Sequence, residues 1–563
     1  MPKQQPEFPP VEQFSESEED LLRPYVTNLD RPVFALVNLP EVVKGALFAR
    51  YSRSSKSLRR LLLDEFMEDL PVSSCTKQMR HGGAETLYDR IFSEYGDDSV
   101  AQLGGVHLAC EGVSNILTKV LERGRLMAYL EQSTRYVPYD DKPDGRWKYH
   151  TPSEIQGFLR EKYRTTLDGI FDIYSSWIEP LQDYYSRRYP PKDGVFSGAY
   201  KRSIRAKALD ALRGLLPAAT RSNLGIYGTG QAYESLLLRM NASPLSEVRA
   251  FAGVILEELR AVIPSFMARV DRQDRGVLWS EYLRCTEGQT RLVAANLLEG
   301  LKPEPVPFVA LTEFDPEGET KVVAAALYSC SDLPDHQLLS IARAMSVEER
   351  LQVLRAYVGN RQNRRHKPGR AFERTVYRFD ILADYGAFRD LQRHRLLTLE
   401  WQKLSPDHGY VVAEAIEESG ALDDWRRAME ASAELHQALV ADGAGEVASY
   451  AVAMAYRVRF NMTMNARAAM HIIELRTAPQ GHPAYRRVCQ EMHRLIREEA
   501  GHRSLAAMMH FVDHGQVDLE RLEGEVRAEA RKTMTHAEPA HLARKSNGEE
   551  GMGLALPDCM GAA

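Results

Sequence analysis

Residues Val33–Leu62 read VFALVNLPEVVKGALFARYSRSSKSLRRLL, and residues Pro307–Ala342 read PFVALTEFDPEGETKVVAAALYSCSDLPDHQLLSIA. Each opens on a short apolar run, breaks at a proline-bearing turn and continues with apolar residues at helical spacing. Each then crosses a serine-bearing break into a leucine-rich helix. The same order recurs after about 270 residues, too long a period for a solenoid and right for a tandem domain. Helical spacing dominates the remainder: Leu256–Val262, Tyr485–Phe511, and the aromatic- and cation-rich Trp147–Tyr189, expected as a helix pair. The expected class is α+β, two tandem domains, each a small mixed sheet with several helices.

The boundaries follow composition. Residues 1–30 carry prolines and the run SESEED and are expected as a mobile acidic arm. The first domain takes 31–302. The second takes 303–540, opening in the proline-spaced LKPEPVPF, and the glycine- and alanine-rich 541–563 is expected as a flexible tail.

A chain of 563 residues exceeds one compact core. A formal net charge of -6 disfavours a general nucleic-acid binder and leaves room for a local basic pocket. The six cysteines, Cys75, Cys110, Cys285, Cys330, Cys489 and Cys559, form no CxxC, so neither a zinc site nor a disulfide framework is expected and a reducing cytoplasm suits them. No apolar run reaches spanning length, and the N-terminus lacks the apolar core of a secretion signal.

Two stretches carry chemistry. Arg389–Leu404 reads RDLQRHRLLTLEWQKL, and Arg123–Tyr136 reads RGRLMAYLEQSTRY. Guanidiniums are planar forks of donors that fit phosphate oxygens two at a time, and an imidazole can donate, accept or carry charge. Taken alone, RHR is more often a solvated basic turn, because short motifs recur by accident. The pair of stretches changes that balance. Further on, Asn465-Ala-Arg467 opens NARAAMHIIELR, where Arg467 and His471 are i,i+4 on one helix face and Asn465 and Arg476 share another. The rest of that helix reads as buried, so its cations need a partner, either an anionic ligand or an acid such as Glu474.

Together these stretches resemble the flavin-dependent thymidylate synthases, whose signature is RHR, then a serine, then Glu-x-Ser-x-Arg-Tyr. The downstream copy keeps Arg393, His394 and Arg395, with Thr398 near the serine, and has Trp401, Lys403 and Ser405 where Glu, Ser and Arg belong. The upstream copy keeps Glu131, Ser133, Arg135 and Tyr136, with Gly124 and Ala128 at the lost positions. Glu111–Arg125 and Arg370–Arg395 look like the family's helix leading into the signature, with Glu373 at its glutamate and Gln102 one residue out of register in the first copy. Asn465, Arg467 and Arg476 match the later helix, where His471 replaces an asparagine. The first half keeps Arg213 there and has Thr229, Gln231 and Met240 at the other positions.

The resemblance implies complementary losses. The first half would give Glu131, Ser133, Arg135 and Arg213 to a nucleotide, dUMP or a related pyrimidine nucleotide. The second would give Arg393, His394, Arg395, Glu373, Asn465, Arg467 and His471 to FAD, and Arg476 to the base. Arg476 and Ser133 would be the catalytic pair, with NADPH and methylenetetrahydrofolate as co-substrates and no metal. Family sites lie between subunits of a homotetramer, so a homodimer of this chain would form a pseudo-tetramer. Three rivals stand beside that reading: a C5 methylase of another uridine nucleotide, a catalytically silent nucleotide-binding paralogue, and an RNA binder using Arg361, Arg364 and Arg365. For Glu498, His502, His510 and His514, a solvated cationic helix face outweighs metal ligation, because HExxH is missing.

Overall fold

A computed structural model describes residues 8–39, 41–67, 104–191 and 197–515, with a few positions between 519 and 529. It contains two four-stranded sheets of identical strand order, β1-β2-β4-β3 and β5-β6-β8-β7. The first is β1 Val33–Leu36, β2 Gly105–Ser114, β3 Met127–Glu131 and β4 Arg221–Thr229; the second is β5 Val309–Phe314, β6 Val376–Asp384, β7 Thr398–Trp401 and β8 Arg457–Asn465. Each opening strand leads into two helices, Glu41–Tyr51 and Leu58–Glu65 in the first half, Gly318–Tyr328 and Asp335–Ala344 in the second. The repeat is therefore real in three dimensions. The mixed sheet is corrected: every ladder is antiparallel. Strand β8 shows why: Val458, Phe460, Met462 and Met464 point to the core in strict alternation with Arg457, Arg459, Asn461 and Thr463. That pattern suits antiparallel pairing, where one face packs and the other stays polar.

Two local expectations also change. The segments Glu111–Arg125 and Arg370–Arg395 are not one helix each. The first holds the end of β2 and the second all of β6, each followed by a short helix, Asn115–Leu121 and Tyr385–Gln392. Ser114 and Asp384 make the turn, their side chains accepting the amides of Leu117 and Ala387 as N-caps. The acidic arm is tied down along its described part: Glu16–Leu22 is a helix with a Ser15–Glu18 capping box, Leu22 is buried, and Arg60 pairs with Glu12 and Glu18. Gln102 and the tail 541–563 lie outside the described residues.

The halves meet through counterpart segments. The Pro217–Ala453 pair forms an antiparallel bridge. Around it Ala218 and Ala219 donate to Val452 and Tyr450, while Met454 and Ala455 donate to Leu216 and Gly214. These segments precede β4 and β8 by matching intervals, so a pseudo-two-fold axis passes through the bridge. The helix pair expected over Trp147–Tyr189 is Gly157–Ser176 and Ile178–Arg188. It belongs to the same buried cluster as Trp425, Met429 and Leu435 of the second half, and Trp177 Nε1 donates to Asp424 at 2.8 Å. One buried cluster thus runs through both halves, while the first sheet keeps its own.

That junction is tight. A Cβ on Gly214 would lie 2.7 Å from the Trp425 ring and 3.0 Å from Ala455 Cβ. Gly214→Ala is expected to lower stability by about 1–3 kcal/mol through overpacking across the halves, measured by urea unfolding. An unchanged midpoint would show that the halves do not pack here.

Candidate active site between the two halves

The site is built around Asp390, on the helix Tyr385–Gln392. Its carboxylate meets Arg393 at 2.5 Å, Arg213 at 3.3 Å and Arg476 at 3.8 Å. Arg213 comes from the first half, at the end of the helix Ser197–Leu212, and also approaches Asp384 at 3.8 Å. A side chain on Gly386 would sit 3.0 Å from Arg213 Nε, so glycine clears its path. Burial alone would raise the Asp390 carboxyl, but Arg393, Arg213 and Arg476 outweigh it and hold the group ionised far below its ordinary range.

Arg476 closes the helix Ala466–Arg476. Its Nε donates to His394 Nε2 at 2.8 Å, and it reaches the Asp390 carbonyl. Burial pushes the His394 imidazolium well down, and Arg476 adds to the shift, so His394 is neutral and accepts. Arg395 donates to the carbonyl of Met127 on β3, which places the RHR turn against the first half.

The Ser133–Arg135 turn arrives from that side. Arg135 forms a two-pronged pair with Asp210, at 2.7 and 2.6 Å, and Arg521 shares the same carboxylate at 3.3 Å. Its remaining Nη1 donates to Tyr485 Oη at 3.1 Å. The Tyr485 ring also lies 5.3 Å from the Arg476 guanidinium, so one buried tyrosine joins Arg135 of the first half to Arg476 of the second. Ser133 Oγ accepts the Arg135 amide at 3.3 Å and shapes the turn. Thus Arg135, Arg213, Arg393, His394 and Arg476 come together within a single chain, with Ser133 in the turn that carries Arg135, while Arg395 lies against the start of β3.

The remaining expected residues are placed differently. Glu131 is buried, and both carboxylate oxygens are engaged: Arg389 donates at 2.8 Å and Lys119 at 3.2 Å. Arg389, Lys119 and Arg393 outweigh burial and keep it ionised. Glu131, expected at the nucleotide, is here a clamp between the halves. Asn465 does not share a helix face with Arg476; it ends β8 and caps the next helix, accepting the Ala468 amide. Glu373 and Arg467 pair at 3.3 Å, with Arg467 also donating to the Pro368 carbonyl. His471 follows Arg467 by one helical turn and stands 6.0 Å from the His394 ring, its imidazole pushed down to about 4 by burial and by Lys367 and Arg364.

Glu474 does not serve the site cations. It forms a buried two-pronged pair with Arg361, which takes Arg361 out of the candidate RNA-binding loop. His502 bonds Tyr377 and His514 bonds His493, and the described residues contain no group of three metal-ligating side chains. Cys489, whose thiol Arg476 draws downward, is pushed up to about 12 by burial, so it offers no thiolate. Asp390, Asp210, Arg389 and Tyr485 were missed in the sequence. Only Asp390 left a signal, three residues before Arg393 on one helix.

His394, His471 and His482 share a depressed imidazolium, with burial first in each case. The unfolded chain takes up protons near the ordinary value of about 6.5, whereas the fold does not. Stability is therefore complete above about pH 6.5 and falls as pH drops toward about 4, each group adding up to roughly 1.4 kcal/mol per pH unit. His482 caps the helix Pro483–Glu498, so His482→Asn keeps a capping side chain and removes one share of the slope. Urea unfolding across this window checks it; a flat profile, or an unchanged slope in the variant, would contradict the assignment.

Comparison with known proteins agrees with the duplicated fold. Residues 45–265 and 310–501 each match the family described as thymidylate synthase complementing protein. A UPF0159 protein of Chlamydia muridarum (strain MoPn / Nigg) is 38% identical over 525 residues, 92% of this chain and 99% of its own length. A flavin-dependent thymidylate synthase of Mycobacterium sp. (strain JLS) is 26% identical over 212 residues, 37% of this chain and 78% of its own. The UMP/dUMP methylase PolB from Streptomyces cacaoi, solved with 5-Br UMP, is 21% identical at a TM-score of 0.27, covering 36% of this chain and 96% of that one. With the family unit matched twice, around an arginine cluster that draws on both copies, the chain belongs to the thymidylate synthase complementing protein family.

Proposed function

We propose that this protein is a flavin-dependent thymidylate synthase-like enzyme that methylates dUMP reductively at C5, with methylenetetrahydrofolate and NADPH as co-substrates. One observation carries the reading. Arg213 Nη2 and Arg393 Nε are buried donors without an acceptor among the described residues, inside a cluster where guanidiniums outnumber carboxylates. Buried donors without partners cost about 1–3 kcal/mol each, and an anionic ligand supplies their acceptors. Membership of the family, and the activity named for the mycobacterial relative, support the same substrate class.

The residues divide the work by position. Ser133, Arg135 and Arg213 hold the nucleotide phosphate, with Arg135 exchanging part of its Asp210 pairing for it. Arg476 faces the pyrimidine and stabilises negative charge that develops on the ring, a preorganised contribution because His394 and Asp390 already fix its orientation. Glu131 acts as a positioning residue through Arg389. Arg393, Arg395, His394, Glu373, Arg467 and His471 would hold FAD. The unpartnered Arg393 Nε fits an anionic group there, while the Asn465 carbonyl is committed to its cap. FAD when bound supplies the hydride chemistry that no side chain can. Cys489, a buried thiol, takes no part.

A second copy completes the assembly in this reading. The helix Leu278–Leu297 buries only Ser280 and exposes Trp279, Tyr282, Leu292, Val293 and Leu297. An apolar face of that extent marks a protein contact.

The purified protein is expected to be yellow, to weigh as a dimer by light scattering, and to form dTMP from dUMP with the two co-substrates. Arg135→Ala is expected to weaken dUMP binding at least tenfold, about 1.4 kcal/mol. Arg395→Ala is expected to lower flavin retention and turnover together. Arg135→Lys serves as the folded control. A colourless protein that binds no dUMP would replace this reading with a catalytically silent paralogue.

A further inference from the structure

The pseudo-two-fold axis gives the junction a second cleft. Ser114 and Asp384 are counterparts, as the strand ends opposite Arg221 and Arg457. Exchanging the halves therefore turns Arg393 and Arg395 into Arg123 and Arg125, and Asp390 into Val120. The same exchange turns Arg213 into Ser449, and the signature residues Glu131 and Ser133 into Trp401 and Lys403. All six substitutes line one cleft of about 990 Å³. That is large for an inorganic ion and matches a ligand of nucleotide size.

The exchange also changes the chemistry. Gly124 stands where His394 is, and buried Met240 where Arg476 is, so the groups that orient a reacting ring are missing. Val120 replaces the carboxylate that occupies the guanidiniums of the first cleft. Arg125 donates only to the Thr398 hydroxyl, at 3.0 Å. Arg123 pairs with the exposed Glu400 at 2.8 Å and lies over the Trp401 ring at 5.2 Å. A new cation enters from the helix Gly230–Ala242: Arg239 lines the cleft, is partly buried and has no acceptor among the described residues. Burial, with Arg123 behind it, disfavours its charge. A half-buried guanidinium beside two others is stabilised by an anion it does not yet have.

We propose that this cleft is a second, non-catalytic site that binds a small molecule through a pyrophosphate group, with Arg125 and Arg239 as its main contacts. The inference rests on the symmetry of the junction and not on the reaction proposed for the first cleft. Pyrophosphate chemistry is shared by free pyrophosphate and by nucleotides, so the probes are inorganic pyrophosphate and ADP.

Isothermal titration of the full chain, with its first cleft saturated by FAD and dUMP, tests it. One ADP per chain is expected to bind and to be displaced by inorganic pyrophosphate. Arg239→Glu is expected to weaken it at least tenfold, and Arg239→Gln severalfold with an unchanged thermal midpoint. Arg135→Ala, in the first cleft and away from the lining of the second, is expected to leave that affinity within about twofold. ADP that binds but is not displaced by pyrophosphate would show that the phosphates are not the anchor. Failure of both probes to bind, ADP affinity that survives both Arg239 variants, or loss of ADP in Arg135→Ala would each overturn the proposal.

Discussion

The buried ion pair between Glu131 and Arg389 is the contact on which the arrangement depends. Arg389 belongs to the second half and is buried, as are Glu131 and Lys119 of the first. A cation in that position needs a carboxylate, and removal of one partner from such a pair costs about 3–5 kcal/mol. The pair therefore fixes the end of β3 against the helix Tyr385–Gln392. Ser133 and Arg135 follow Glu131 directly, and Asp390 and the RHR turn follow Arg389. One contact sets the register of both motifs. Across the axis the counterpart of Glu131 is Trp401, so the clamp exists once and the two clefts are unequal.

The electrostatics of the site follow from that register. Asp390 collects arginines from both halves and stays ionised despite burial, because the guanidiniums outweigh desolvation. His394 is forced neutral and becomes an acceptor for Arg476, so its role is orientation rather than charge. Tyr485 spans Arg135 and Arg476. The result is a set of guanidiniums held in place before any ligand arrives, with two N–H groups still lacking acceptors. Preorganisation of this kind is what binding an anion in a dry pocket requires. The other cleft lost its acid and its orienting histidine together, which leaves attraction for anions without the means to direct chemistry.

Much of this was legible in the chain. The strand-turn-helix order of Val33–Leu62 and Pro307–Ala342 revealed the duplication, because such segments keep their period whatever they pack against. RHR and Glu-x-Ser-x-Arg-Tyr marked the two sides of the junction. Strand pairing was not legible, since short apolar runs do not say which neighbour they join. Asp210 and Tyr485 left no trace because only tertiary packing brings them to Arg135. Glu131 was visible, but its motif position says nothing of Arg389, which reaches it from the other half. The acidic arm looked mobile by composition, yet Arg60 and the Ser15 cap give its charges partners.

A double-mutant cycle on Glu131→Gln and Arg389→Met, read by urea unfolding, tests most directly whether one clamp holds the halves in register. Each single change strands a buried group, so the two losses together should fall short of their sum by about 1–3 kcal/mol. Strict additivity, within about 0.5 kcal/mol, would mean that the residues do not act as a pair and that something else sets the junction.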